Sequence, residues 1–173
     1  MRPHSLQPFA APDPRDVRVL GPDEPVVRVD RRRSAVGVLT VTNATSTAWE
    51  STDWVVGACT AQGQQAGREA ATSGNRPLVG YHDGHALVAL RHVRQLRRAL
   101  FMPRDPAPVV VTLQDGTALT LDAGDPETMH LLAVTVVDGM LELRAEPFPR
   151  ASHDGDVLAA FGFTLSPPTI GRS

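Results

Sequence analysis

Three Asp-Gly pairs, each placed between segments rich in β-branched and aliphatic residues, constrain the fold of this chain more than any other feature. They are Asp83-Gly84, Asp115-Gly116 and Asp138-Gly139. A type I′ turn needs positive φ at both central positions, which Asp followed by Gly tolerates, so each pair predicts a β-hairpin. We therefore predict an all-β chain: a β-sandwich of two mostly antiparallel sheets, with one short C-terminal helix and a proline-rich N-terminal arm.

The strands around the last two Asp-Gly pairs show the patterns expected of a sandwich. Residues 129–137 are apolar on both sides, which predicts a central strand buried on both faces. Residues 140–145 alternate, with Leu141 and Leu143 inward and Glu142 and Arg144 outward. Apolar residues on both sides of the Asp115-Gly116 turn fall on one face: Val109, Val111, Leu113, Leu119 and Leu121.

The first half of the chain is predicted to alternate between strands and loops. Residues 25–30 and 36–42 read as strands, and 43–52 as a polar loop. The next strand places Trp54, Val56 and Ala58 on one face and Cys59 on the other. Residues 62–77 form a further loop. Short strands on either side of Asp83-Gly84 cover 78–81 and 86–90.

Two segments of the sequence show a helical pattern. Residues 91–98 fit an amphipathic helix or a connection into a strand over 99–102, and we favour the strand because prolines follow at once. Residues 154–162 predict a short helix, with Asp154 or Asp156 as the N-cap and Gly162 as the C-cap.

The termini and composition suggest one domain with two flanking segments. Six prolines within residues 3–25 predict an extended arm over 1–24, a single domain over 25–165 and a tail over 166–173. The single cysteine, Cys59, is interpreted as a small buried hydrophobe in a reducing compartment. No signal peptide and no membrane-spanning run are recognised, so we expect a cytoplasmic protein without a membrane partner.

One cluster of arginines is the first candidate binding site. All 17 basic residues are arginine and the net charge is −2, yet four arginines fall within eight positions: Arg91, Arg94, Arg97 and Arg98. Arginine binds carboxylates and phosphates through a planar fork, so we predict an acidic partner for this cluster. The alternative is a solvated face. Nucleic acid is disfavoured, because no stacking aromatic residues are interleaved with the arginines.

A pair of histidines is the second candidate site. In a two-residue hairpin His82 and His85 face each other across Asp83-Gly84, with Cβ atoms about 5 Å apart. Such a pair can bind a transition metal or sense pH. The alternative interpretation is two exposed turn histidines.

No motif of a known catalytic or phosphate-binding type occurs in the sequence, so we expect a protein that is not an enzyme. The leading hypothesis is an interaction module that acts through contacts with a protein partner or a second copy of the chain. One alternative is a structural subunit of a larger assembly, such as a phage-like or secretion particle. Another is a module that binds nucleic acid or anions.

Part of the sequence resembles the TerD family of tellurium-resistance and stress-response proteins. Residues 52–58 stand at the position of that family's D-x-D-A segment. Residues 108–147 are similar to its late strands, and residues 155–163 to its closing helix. The resemblance implies a two-sheet sandwich, a role in stress response and a calcium site built from clustered acidic residues.

The calcium ligands of that family are mostly missing from this chain. Ser51 stands where the first Asp of D-x-D is expected, and only Asp53, with Glu50, is carried over as a residual calcium site. Since Ca²⁺ needs several oxygen ligands, we expect no tight calcium binding and no other cofactor.

Overall fold

The computed structural model of the protein describes residues 18–103 and 107–167, and strands dominate this part of the chain. The strands are β1 (Arg18–Leu20), β2 (Val26–Val29), β3 (Val38–Thr42), β4 (Ala44–Ser51), β5 (Val56–Thr60), β6 (Gln65–Gly67), β7 (Val79–His82), β8 (His85–Ala89), β9 (Leu96–Pro103), β10 (Val110–Thr112), β11 (Ala118–Leu121), β12 (Thr128–Val137) and β13 (Met140–Pro149). Two 3-10 helices, Arg33–Ala35 and Leu90–Gln95, and one α-helix, α1 (Asp154–Ala160), complete it.

These strands form two sheets, which confirms the predicted all-β sandwich. Sheet A has the strand order β1-β11-β10-β3-β8-β7, and sheet B the order β2-β13-β12-β9-β4-β5-β6. Neighbouring strands are antiparallel, apart from the parallel pair of β1 and β11. Within the described ranges no helix has the length and hydropathy needed to cross a bilayer.

The main core lies where the inward faces of the two sheets meet. Sheet A contributes Leu39 and Val111, and sheet B contributes Phe101 and Leu143, each at most 1% exposed. All five residues predicted on one face around Asp115-Gly116 are buried. Their alternation with more exposed neighbours follows from the period of two of a strand, which sends successive side chains to opposite faces.

Strand β12 lies inside sheet B, between β13 and β9, and its residues 129–132 are buried on both faces, whereas Val137 at its end is 49% exposed. Leu132 and Val134 belong to the main core. Met129 and Leu131 belong to a second cluster, which includes Val157 of helix α1. The helix therefore covers part of the outer face of sheet B, and this cover explains why the first half of β12 is apolar on both sides.

Two of the three Asp-Gly turns have the predicted conformation. The φ values are 52° and 79° at Asp83-Gly84 and 52° and 76° at Asp138-Gly139, which are the values of type I′ turns. At Asp115-Gly116 only the glycine has positive φ, 91°, and a longer loop is closed by the Leu113 N–H, which donates to the Thr117 carbonyl at 2.9 Å.

The predicted hairpin at Asp115-Gly116 is thus present, but the predicted turn type is wrong there. The Gly116 N–H donates to the Leu113 carbonyl at 3.0 Å, so the loop is a tight turn followed by a glycine in the left-handed region. The Asp115 carboxylate accepts a hydrogen bond of 2.9 Å from the Thr117 N–H. This local bond holds the longer loop.

The prediction of a polar loop over 43–52 is wrong, since strand β4 occupies most of it. Hydroxyl groups make this segment look polar, but those of Thr45 and Thr47 donate to carbonyls of β9, at 3.2 Å to Met102 and 2.9 Å to Leu100. The buried Ser46 hydroxyl has no partner among the described residues. Trp49 lies in the main core. Trp54 was predicted in the following strand, yet β5 begins only at Val56 and Trp54 is 62% exposed with φ of 64°.

Parts of the predicted arm and tail make contacts with the two sheets. Residues 18–20, predicted to belong to the arm, form β1 and pair with β11, and Leu20 is 1% exposed. At the other end, Ser166 exchanges hydrogen bonds with the backbone of Val56 on β5, at 2.8 and 3.0 Å. The remaining parts of the predicted arm and tail, residues 1–17 and 168–173, lie outside the described residues.

Helix α1 is present as predicted, but its N-cap is His153 rather than Asp154 or Asp156. The Asp156 carboxylate accepts the His153 N–H at 2.9 Å, which satisfies a backbone donor at the helix start. At the other end Gly162 has φ of 72°, as a C-terminal glycine should. Its N–H donates to Ala159 and that of Phe163 to Leu158, the pattern of a Schellman motif.

We expect the Asp138-Gly139 turn to be a sensitive point for stability. A Cβ added at Gly139 would meet nothing within 4 Å, so Gly139→Val tests backbone conformation alone. Because a β-branched residue resists positive φ, the free energy of unfolding should fall by about 1 kcal/mol or more in urea denaturation.

Gly139→Asn is the matched control, because asparagine tolerates the left-handed region, and it should lose clearly less stability than Gly139→Val. Equal losses in the two variants would contradict a type I′ turn as the source of the effect.

Candidate functional site

The four predicted arginines lie where the second 3-10 helix runs into strand β9. Val93 and Leu96 turn into the core, at 3% and 1% exposure. Arg91 and Arg94 are exposed on the 3-10 helix, and Arg97 and Arg98 follow at the start of β9. The structure assigns different environments to the four residues, so they do not form one uniform patch.

Arg98 connects sheet B to the end of helix α1. Its Nε donates to Glu50 Oε1 at 2.7 Å, and its two terminal nitrogens donate to the carbonyls of Phe161 and Gly162. The guanidinium lies 3.9 Å from the centre of the Phe163 ring. Arg98 therefore binds the free carbonyls at the helix C-terminus, where a positive charge is favourable. This role is structural.

Arg97 is held at the surface by two neighbours. Its guanidinium lies 4.1 Å from the centre of the Trp54 ring, and its Nε is 3.7 Å from Glu50 Oε1. The side chain is still 44% exposed. Stacking on an aromatic face leaves the in-plane N–H groups of a guanidinium free to bind. Trp54 therefore orients the Arg97 side chain while its N–H donors remain available to a ligand.

The loop that presents Trp54 is built around Ser51. The Ser51 hydroxyl accepts hydrogen bonds from the N–H groups of Asp53 and Val55, at 3.2 and 3.1 Å. The Trp54 N–H donates to the Ser51 carbonyl at 3.0 Å. These bonds hold a bulky residue at positive φ, a conformation that costs about 1–3 kcal/mol and is concentrated at functional sites.

Arg94 and Arg97 line an open groove with a volume of about 530 Å³ beside the Asp138-Gly139 turn. We call it the arginine groove; its lining residues are Arg31, Thr52, Arg94, Leu96, Arg97, Val136, Asp138 and Gly139. It contains three arginines and one acidic residue. Arg31 Nε donates to the Asp138 backbone carbonyl at 2.8 Å. In the described part of the chain, no carboxylate lies within ion-pair distance of Arg94.

The groove is formed by segments that are distant in sequence. The Thr52 N–H donates to the Gln95 carbonyl at 2.8 Å, which ties the Trp54 loop to the end of the 3-10 helix. Arg31, Thr52 and Asp138 were not predicted as site residues. The only sequence signal for Arg31 is its place in the triplet 31–33, which is more typical of a solvated turn. Arg91 is exposed but does not line the groove.

The two residual calcium ligands, Glu50 and Asp53, lie in different environments. Glu50 is 11% exposed, and its carboxylate is engaged by Arg98 and lies close to Arg97. Asp53 is exposed on the loop. Across residues 18–103 and 107–167, no three or more His, Cys, Asp or Glu residues cluster in a way that could hold a metal ion. A buried carboxylate with two arginine neighbours is a poor cation ligand, since its charge is already balanced.

The predicted histidine pair is in register. His82 at the end of β7 is the direct partner of His85 at the start of β8, and both are exposed. His82 Nε2 lies 3.4 Å from the Asp83 carboxylate.

Burial favours the protonated forms of Cys59 and Tyr81 and raises the pKa of each side chain. Cys59 is buried, and this burial, with a smaller effect of Glu69, raises the pKa of its thiol to about 11. Burial also raises the pKa of Tyr81, whose hydroxyl donates to the Ala44 carbonyl at 2.9 Å. The reactive thiolate of Cys59 is therefore disfavoured near neutral pH.

Comparison of this chain with protein-family models, with curated proteins and with solved structures finds no significant match. The resemblance to the TerD family therefore stays a prediction from the sequence.

We expect Arg98 and Arg97 to differ sharply in their effect on stability. Arg98→Ala leaves the Glu50 carboxylate and two helix-end carbonyls without their donor, and should lower the free energy of unfolding by about 2 kcal/mol. Arg97→Ala removes a surface contact and should cost no more than about 1 kcal/mol. Urea denaturation measures both.

Glu50→Gln provides the control for Arg98→Ala. In the Glu50→Gln background the loss caused by Arg98→Ala should shrink, because no buried charge is left unpaired. The role assigned to Arg98 would be wrong if Arg97→Ala were as destabilising as Arg98→Ala.

Proposed function

We propose that this protein is a non-enzymatic binding module whose arginine groove engages an acidic segment of a protein partner. The observation that supports the proposal is the convergence of Arg31, Arg94 and Arg97 on one open groove with a single acidic residue, Asp138. The whole chain has a net charge of −2, so this local excess of positive charge runs against the overall balance.

The chemistry of the groove suits carboxylates. A guanidinium offers paired N–H donors that match the two oxygens of a carboxylate. Arg97 is already oriented by Trp54 and by Glu50, so less side-chain freedom is lost when a ligand binds. Arg94 has no competing carboxylate among the described residues. A partner with two acidic side chains can therefore pair with both arginines.

Trp54 adds an apolar contact beside the charges. Its ring is 62% exposed, and large aromatic residues next to arginine are typical of the centres of protein–protein contacts. Single exposed ion pairs contribute little to affinity, at most about 1 kcal/mol each. A useful affinity thus requires the arginines and the Trp54 ring together, which favours an extended peptide over a free anion.

An acidic protein segment fits the groove better than a nucleic acid. Single-stranded nucleic acid is usually held by several aromatic residues along a basic channel. None of the described residues that line the arginine groove is aromatic, and Trp54 contacts one of them, Arg97. The stress-response role implied by the TerD resemblance and the alternative of an assembly subunit both stay predictions.

The test uses a fluorescently labelled ten-residue peptide of alternating glutamate and leucine, titrated with the full-length protein and followed by anisotropy. Arg94→Glu and Arg97→Glu should each weaken binding by at least about tenfold, the factor that corresponds to 1.4 kcal/mol. Raising the salt from about 50 to 200 mM should weaken wild-type binding as well, because exposed charges are screened.

Arg91→Glu is the matched control. It makes the same change in net charge as the other two variants and lies on the same 3-10 helix as Arg94, but outside the groove lining. It should leave the affinity within about twofold. Equal losses in all three variants would show a non-specific charge effect and contradict the proposal. Tighter binding to a duplex DNA oligonucleotide than to the peptide would favour the nucleic-acid alternative.

A further inference from the structure

We infer that His82 and His85 form a surface site for a divalent transition metal ion of the Ni²⁺, Cu²⁺ or Zn²⁺ class. The site lies at the tip of the β7–β8 hairpin, at the edge of sheet A, and is independent of the arginine groove. Imidazole nitrogen is a preferred ligand of these ions.

The register of the hairpin places the two imidazoles on the same side. Residues directly opposite each other in an antiparallel pair send their side chains to one face, with Cβ atoms roughly 5 Å apart. Two nitrogens bound to one ion at about 2.0–2.1 Å lie roughly 3 Å from each other. Both side chains are exposed, so rotation about the side-chain bonds of His82 and His85 can bring one nitrogen of each ring to the separation that a shared metal ion requires.

The turn makes the arrangement rigid. Asp83 and Gly84 have the φ values of a type I′ turn, 52° and 79°, the tightest connection for two strands. The pair is therefore fixed by the backbone, and binding a metal orders only the two side chains. This reduces the entropic cost of chelation compared with two histidines on a flexible loop.

Asp83 has a supporting role. Its carboxylate lies 3.4 Å from His82 Nε2, within reach of the imidazole or of a metal-bound water. Carboxylates near a ligating histidine orient the ring and raise its basicity. In the described ranges the pair does not belong to a larger cluster of His, Cys, Asp and Glu, so water completes the coordination sphere and the affinity is moderate.

The experiment is calorimetric titration of NiCl₂ into the untagged full-length protein, with His4→Ala as the background, because His4 is a further imidazole outside the described residues. One Ni²⁺ should bind per chain. His82→Ala and His85→Ala should each weaken binding by at least about tenfold, because each removes one of the two ligands. Asp83→Asn should weaken it by a smaller factor, because it removes only the carboxylate beside His82.

His92→Ala is the matched control, since His92 lies on the second 3-10 helix away from the hairpin tip, and it should leave Ni²⁺ affinity unchanged. In NMR spectra, paramagnetic Ni²⁺ should broaden the amide signals of residues 81–86 in the wild type and not in His82→Ala. The proposal is overturned if Ni²⁺ does not bind, if either hairpin variant binds as tightly as the wild type, or if His92→Ala loses as much affinity.

Discussion

Sheet B must be covered on both faces, and the rest of the structure depends on this constraint. One face meets sheet A, and the other meets helix α1 through the cluster that contains Leu131 and Val157. A strand such as β12, apolar on both sides, would expose a large hydrophobic surface without the helix. Holding a helix of seven residues against the sheet requires more than its own hydrogen bonds, because short helices are marginal in water.

Arg98 supplies part of the additional interactions that keep helix α1 packed against sheet B. It joins Glu50 on β4 to the carbonyls that end α1, at the border where the apolar cover of sheet B gives way to charged residues. The guanidinium of the neighbouring Arg97 lies over the Trp54 ring instead. Two adjacent arginines thus serve different purposes: one completes the packing of the helix, and the other remains at the surface beside the arginine groove.

The candidate binding residues share a dependence on loops that the sheets hold rigidly. The strained Trp54 loop is fixed by the Ser51 hydroxyl, and the histidine pair by a type I′ turn. Both features use conformations with positive φ, and in both the strands on either side determine the position of the exposed group. Rigid strands with functional groups on their connections are a common way to place binding residues.

The sequence by itself determined the sandwich, the two type I′ turns, the buried strand β12 and the facing of His82 by His85, because these follow from local periodicity and turn chemistry. The sequence predicted a loop at β4 because of its hydroxyl residues, but the threonine hydroxyls at positions 45 and 47 donate to carbonyls of the neighbouring strand β9. Only the tertiary structure showed that Arg98 and Arg97 have different contacts, and only it placed Arg31 and Asp138 in the arginine groove. Those relations depend on contacts between segments far apart in the chain, which no local pattern of residues encodes.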